Sequence, residues 1–213
     1  QLCKLEREQL PQPERQPYSL SERTGASVLH VMPGLTCNLE CSHCATLSGP
    51  KETYRLTPSE MKSINEEVSR LKPTRIQFTG GEPTLFTDIV NEVIKYHPDL
   101  ETCEIKLTTN GWFSTNESKI EQVLSQFKKI DIIQLSYDKF HGSKLEIEDI
   151  KRLKEYCDSK NYSFNISMCI SDPRDLIEAN NIKGKVGCDI LYQEVSGAGR
   201  AKLTKTEFKY YDF

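Results

Sequence analysis

Arg75-Ile76-Gln77-Phe78-Thr79-Gly80-Gly81-Glu82-Pro83 reads as a short strand that runs straight into a glycine turn, and its alternation carries the main signal for the fold. Ile76 and Phe78 fall on one face of such a strand and Gln77 and Thr79 on the other, because successive side chains of a strand point to opposite sides. The pattern returns three times. Ile105 and Leu107 alternate with Lys106 and Thr108; Ile133, Leu135 and Tyr137 with Gln134, Ser136 and Asp138; Phe164, Ile166 and Met168 with Asn165, Ser167 and Cys169. Strands of a parallel sheet buried on both sides usually read as continuous apolar runs. Here only one face is apolar, so the other must look into a wet or ligand-filled space.

Working outward, strands are expected near Ser27–Val31, Arg75–Thr79, Cys103–Thr109, Ile132–Tyr137, Tyr162–Ile170 and Asp189–Val195, separated by segments of helical period. The first helix opens on Thr57-Pro58-Ser59-Glu60, a capping box with proline at the first helical position. It repeats apolar residues at Met61, Ile64, Val68 and Leu71 and stops at Lys72-Pro73. Later stripes are Ile89, Val93 and Ile94; Ile120, Val123, Leu124 and Phe127; and Ile147, Ile150, Leu153 and Cys157. Strands alternating with helices give an α/β protein. Six strands with a polar inner face fit a partial (β/α)6 TIM-like barrel with a polar lumen, against the alternative of a flat sheet with one face in solvent.

The 213-residue chain is long enough for one domain with a sizeable core. We divide it into an extended arm over 1–25, broken by Pro11, Pro13 and Pro17, the barrel over 26–201, and a tail over 202–213; because the chain starts with Gln1 it is expected to be a piece of a longer one, with a truncated tail. A net charge of -3 with scattered basic residues argues against a nucleic-acid partner. No apolar run approaches the roughly 20 residues of a membrane span and no signal-peptide pattern opens the chain, so a cytoplasmic protein without a membrane partner is expected.

Cys37, Cys41 and Cys44 are spaced C-x3-C-x2-C directly after the first strand. A four-iron, four-sulfide cluster needs one thiolate per iron, so three cysteines leave one iron open to a ligand. Zinc held by the three thiolates and His43 is the alternative, although His43 sits inside the C-x2-C arm where it makes a poor fourth ligand. Eight cysteines are too sparse for a disulfide-stapled scaffold. Both the cysteine loop and Gly80-Gly81-Glu82-Pro83 fall at the C-terminal ends of strands, where barrel enzymes build their sites.

These motifs resemble the radical S-adenosylmethionine (radical SAM) enzymes, together with Thr108-Thr109-Asn110-Gly111, Ser136-Tyr137-Asp138 and Gly197-Ala198-Gly199-Arg200-Ala201; the resemblance covers about Val28 to Ala201. It implies a [4Fe-4S] cluster on Cys37, Cys41 and Cys44, with S-adenosyl-L-methionine chelating the fourth iron. Gly80, Gly81 and Glu82, in the motif that Pro83 closes, would hold the methionyl amine. Ser136 with Asn110 or Asp138 would meet the carboxylate or ribose. His43 would lie near the adenine, and Gly199, Arg200 and Ala201 would pair with the adenine edge. The resemblance further implies reductive cleavage to a 5′-deoxyadenosyl radical that abstracts hydrogen from a peptide or small metabolite, and a one-electron reductant such as flavodoxin or ferredoxin as partner. The motif style is closest to the peptide-modifying branch. A glycyl-radical-enzyme activase and a non-catalytic zinc or iron-sulfur module are the alternatives.

Cys169, on the polar face of the fifth strand, is a candidate hydrogen donor to a substrate radical, weighed against a small buried residue. Lys106 could pair with a ligand carboxylate or snorkel to the rim. Arg174 and His141 are weaker candidates, each read more simply as a loop or helix-start residue. Cys3, Cys103, Cys157 and Cys188 read as buried or incidental thiols.

Overall fold

The computed structural model describes residues 28–141 and 145–203. The expected N-terminal arm, Cys3 and all but the first two residues of the expected tail lie outside them. Six strands, β1 (Val28–Val31), β2 (Arg75–Phe78), β3 (Glu104–Thr109), β4 (Ile132–Ser136), β5 (Ser163–Ile170) and β6 (Asp189–Glu194), form one sheet in sequence order, every neighbouring pair parallel. Parallel neighbours require crossovers. These are supplied by α1 (Pro58–Leu71), α2 (Thr87–Ile94), α3 (Glu117–Leu124), α4 (Ile147–Ser159) and α5 (Pro173–Val186), and a short α6 (Gly199–Leu203) follows β6.

Local chemistry explains the helix starts. Thr57 and Glu60 form the reciprocal capping box, with Pro58 in the first turn of α1. Asp172 and Asp175 do the same for α5, ahead of Pro173. The apolar stripe of α5, Ala179, Ile182 and Val186, is thin, and Ile177 beside it is 70% exposed, which is why periodicity alone marks this helix poorly.

The apolar strand faces meet the helices. Ile76, Phe78, Ile105, Leu107, Ile133, Leu135, Ile166 and Ile190 share one core with Val68, Val90, Val93, Ile120, Leu124, Ile150, Leu153 and Ile182. Each fully buried side chain of this size contributes roughly 1.5–3 kcal/mol by transfer from water. On the opposite face the polar residues are also hidden: Gln134 is 3% exposed, Ser167 5% and Lys106 7%. A flat sheet with a solvated face would leave them open. The sheet is instead curled into a partial barrel whose polar face lines its interior.

Among the described residues no helix is long and apolar enough to cross a membrane.

Candidate functional site

A cavity of about 310 Å³ opens at the C-terminal ends of the strands. Its wall combines loop residues with the polar strand face: Gln77 and Thr79 from β2 and its turn, Thr108 from β3, Gln134 and Ser136 from β4, and Ser167 and Cys169 from β5. Cys37, Cys41, His43, Cys44, Gly80, Gly81, Glu82 and Asn110 complete it among the residues expected from sequence. His141, one of the weaker candidates, lines it as well. Pro83, Asp138, Gly199, Arg200 and Ala201 do not; of these, Asp138 and Arg200 bond to residues of the wall and Ala201 packs with Cys169.

The loop that carries the cysteines is held by backbone bonds to three other segments. Cys37 N donates to Gly49 O at 3.1 Å, Glu82 N to Thr36 O at 2.9 Å, and Ser42 N to Phe140 O at 3.2 Å. The second anchor brings Gly81 so close that a Cβ there would overlap the Thr36 carbonyl, so only glycine fits. Behind the loop, Arg200 N donates to Cys44 O at 2.9 Å, while its guanidinium bonds to Cys41 O and Ser48 O. Gly199 makes this approach possible: it has φ +58°, and a side chain would collide with the carbonyls of Cys44 and Ala45.

Glu82 is 1% exposed and already engaged. Its Oε1 accepts from Thr84 N (3.2 Å), Thr84 Oγ1 (2.8 Å) and Thr109 Oγ1 (2.7 Å), and its Oε2 from Asn110 N (2.9 Å). Burial pushes its carboxyl up, against donors that favour the anion. Asn110 in turn reaches the cysteine loop, donating from Nδ2 to Asn38 Oδ1 at 2.9 Å and to Cys37 Sγ at 3.7 Å. Asp138 braces the far side. Its Oδ1 accepts from Phe140 N at 2.9 Å and its Oδ2 from Cys169 N at 3.1 Å. His43 Nε2 lies 3.7 Å from Asp138 Oδ2, and His141 Nδ1 lies 2.8 Å from Oδ1 without the alignment of a hydrogen bond. Burial opposes it, but the two histidines and the Cys169 N–H hold Asp138 below the usual carboxylate range. Burial lowers His43 in spite of that carboxylate.

The three loop cysteines are free thiols in unlike settings. Burial raises Cys37, and burial with the charges of Cys37 and Cys44 pushes Cys41 up to about 12. Burial works on Cys44 too, yet bonds from Thr46 and Ser48 pull it down. Neither Thr46 nor Ser48 was singled out in the sequence; their place just after Cys44 was the only signal.

The spacing of the donors tests which metal group they could hold. A single zinc needs its thiolates about 3.8 Å apart at a bond length of about 2.3 Å. Among the described residues, the one group of potential ligands converging within 4.8 Å is His43, Asp138 and His141, not the cysteines. His43 turns toward Asp138 instead of completing a zinc set. Three separated thiols around one cavity suit a cluster, which spreads its ligands over several irons. Cys103, Cys157 and Cys188 are buried in the core away from this cavity, as expected. Arg174 is exposed and pairs with Asp172 at the start of α5.

Against known proteins, the family model described as the Radical SAM superfamily matches residues 31–164, more than half of the chain. The chain belongs to the radical SAM superfamily. Among curated relatives, this radical SAM chain is 31% identical over 121 residues to a mycofactocin maturase, MftC, of Mycolicibacterium smegmatis, covering 55% of the chain and 28% of that protein. It is 34% identical over 94 residues to a probable GTP 3',8-cyclase of Pyrococcus horikoshii, covering 43% of the chain and 30% of that protein. The matches thus span less than a third of these relatives' length. Among solved structures, SuiB of Streptococcus suis bound to S-adenosylmethionine superimposes with a TM-score of 0.58 at 20% identity, covering 88% of the chain and 44% of SuiB. At that identity the likeness bears on the fold, and it agrees with the partial barrel.

Proposed function

We propose that the chain carries the cluster-binding barrel of a radical SAM enzyme that activates a C–H bond of a peptide substrate. The single observation that carries this is the opening of three free, separated cysteine thiols into a cavity lined by the polar face of a partial barrel. When bound, a [4Fe-4S] cluster supplies the electron that cleaves S-adenosylmethionine to methionine and a 5′-deoxyadenosyl radical, which takes hydrogen from the substrate.

Cys37, Cys41 and Cys44 would hold the cluster, and with three thiolates for four irons one iron would be open to the methionyl amine and carboxylate. Gly80 and Gly81 present backbone to that amine. Glu82 keeps them in place by joining the turn after β2 to the turn after β3, a positioning role supported by its four protein donors. Ser136 and Asn110 face the cavity as partners for the carboxylate or ribose. His43, braced by Asp138, offers a ring to the adenine. Gly199 lies against the carbonyls of Cys44 and Ala45, and Arg200 fixes the cysteine loop through Cys41, Cys44 and Ser48.

Cys169 is proposed as a hydrogen donor. It lines the cavity, and burial with the nearby Asp138 charge pushes its thiol up to about 12, so it keeps the hydrogen it would give. A peptide substrate is supported by the motif style of the cysteine loop and the Gly-x-Gly-Arg-Ala segment, and by similarity to a maturase. A one-electron reductant of the flavodoxin or ferredoxin class is required as partner.

Anaerobic reconstitution tests the proposal. About four irons and four sulfides per chain are expected, with 5′-deoxyadenosine and methionine released when reductant and S-adenosylmethionine are added. A chain that holds one zinc and releases no 5′-deoxyadenosine overturns it.

A further inference from the structure

Deep in the barrel, below the residues assigned to the cofactors, one charge has no counterpart. Lys106 is 7% exposed, yet no hydrogen bond or ion pair joins it to any described residue. Glu104, on the same face of β3, is taken by Arg75 at 2.6 Å, and Glu82 by its four donors. The side chain is packed away while its ammonium finds no protein partner, so the charge is left to whatever solvent reaches it, and an anion beside it would serve it better.

Two amides on the same face of the sheet, one on β4 and one on β5, also lack partners. Gln134 Oε1 and Asn165 Oδ1 are buried and accept no hydrogen bond, and neither amide has a partner among the described residues. Sheet register brings these groups together. Gln77 pairs with Lys106, Thr108 with Gln134, and Gln134 with Asn165, so all project from the same face of β2 to β5. Gln77, Thr108 and Gln134 line the cavity. Lys106 lies two residues below Thr108, a distance of about 6–7 Å along a strand, which a four-carbon stem can bridge.

We propose that Lys106, with the amides of Gln134 and Asn165, forms a subsite for a carboxylate of the substrate. An anion there pairs with the ammonium and receives the amide N–H groups, because an unpartnered Gln or Asn can turn either end toward a ligand. Burial works against the ammonium form of Lys106, and so does the charge of Arg75, the nearby cation that acts on it. A bound carboxylate relieves both. The subsite presupposes the cofactor site proposed above and adds the substrate class: a peptide reaching the radical with an acidic side chain or its own terminal carboxylate turned to the floor.

The experiment is calorimetric titration of the reconstituted chain, with S-adenosylmethionine present, by three probes. N-acetyl-glutamate N-methylamide carries a side-chain carboxylate, N-acetyl-alanine a terminal one, and N-acetyl-glutamine N-methylamide none. We expect one of the two acids to bind about tenfold or more tightly than the neutral amide, the effect of one charge-assisted contact. In Lys106→Met and Lys106→Gln that preference disappears, while iron content and 5′-deoxyadenosine release without substrate stay at the wild-type level. Equal binding of all three probes by the wild type, or a preference that survives in both variants, overturns the subsite. Loss of 5′-deoxyadenosine release from the wild type would instead sink the proposed function, and the titration reads the two apart.

Discussion

Glu82 accepts a hydrogen bond at 2.9 Å from the backbone N–H of Asn110, and through it the turn after β2 is tied to the turn after β3. The same carboxylate holds Thr84 and Thr109, and Asn110 continues the chain of contacts to Asn38 and Cys37. The carboxylate thus links the two turns through protein donors. Glu82→Gln keeps the shape but turns an N–H₂ toward at least one donor. We expect a loss of about 2–4 kcal/mol, the cost of unsatisfied buried groups, measured by urea unfolding of the cluster-free chain. Unchanged stability would show that the link carries no strain-bearing role.

Arg200 ties α6 to the cysteine loop through two guanidinium bonds. Arg200→Gln should cost about 1–2 kcal/mol locally. Its clearer effect is faster loss of iron to a chelator, by several-fold, with iron loading itself retained. Arg200→Lys should fall between, since an ammonium lacks the planar fork that serves Cys41 and Ser48 together. Chelation rates equal to wild type in both variants would contradict the clamp.

Cys169→Ala should leave iron content and 5′-deoxyadenosine release intact, because the residue is not among the proposed cofactor ligands. Product carrying solvent deuterium should fall away in the variant when the reaction is run in heavy water. Deuterium incorporation at the wild-type level would remove Cys169 from the chemistry.

Asp175 is expected to carry part of the acid stability at the start of α5. Its carboxylate accepts from Lys139 Nζ at 2.7 Å and from Ser171 N at 2.8 Å and Asp172 N at 3.0 Å. Burial opposes the anion, yet these partners hold Asp175 below its ordinary 3.8. A depressed value in the fold means that the contribution is complete above that ordinary value and disappears as pH falls through the lower, folded one. Asp175→Ala should cost about 1–3 kcal/mol at neutral pH and flatten the decline of the melting temperature below pH ~4. A variant with the wild-type acid profile would show that other carboxylates control it.

Strand identity was legible because a period of two leaves a mark in every strand from β2 to β5. The six expected strands match the observed ones to within a residue or so at their ends. The cysteine loop and the glycine turn were legible for a similar reason: each is contiguous, and its chemistry depends on local spacing. Helix α5 was fainter, since its stripe of Ala179, Ile182 and Val186 is short and mixed with exposed Ile177. The place of His141 on the cavity wall was not legible in its loop. Nothing in its neighbours announces that the turn after β4 folds back against the cysteine loop, where Phe140 O receives Ser42 N.

By itself, the sequence determined which residues are strands, which face of each is polar and which three cysteines share a loop, because periodicity and motif spacing are properties of neighbours along the chain. Tertiary structure decided what each polar group has left to offer. Glu82 is consumed by three residues from two turns, Arg200 by carbonyls some 150 positions away, and Lys106 by nothing among the described residues. Whether a buried charge is satisfied depends on atoms that folding alone brings within hydrogen-bond distance, and no pattern in one strand records it.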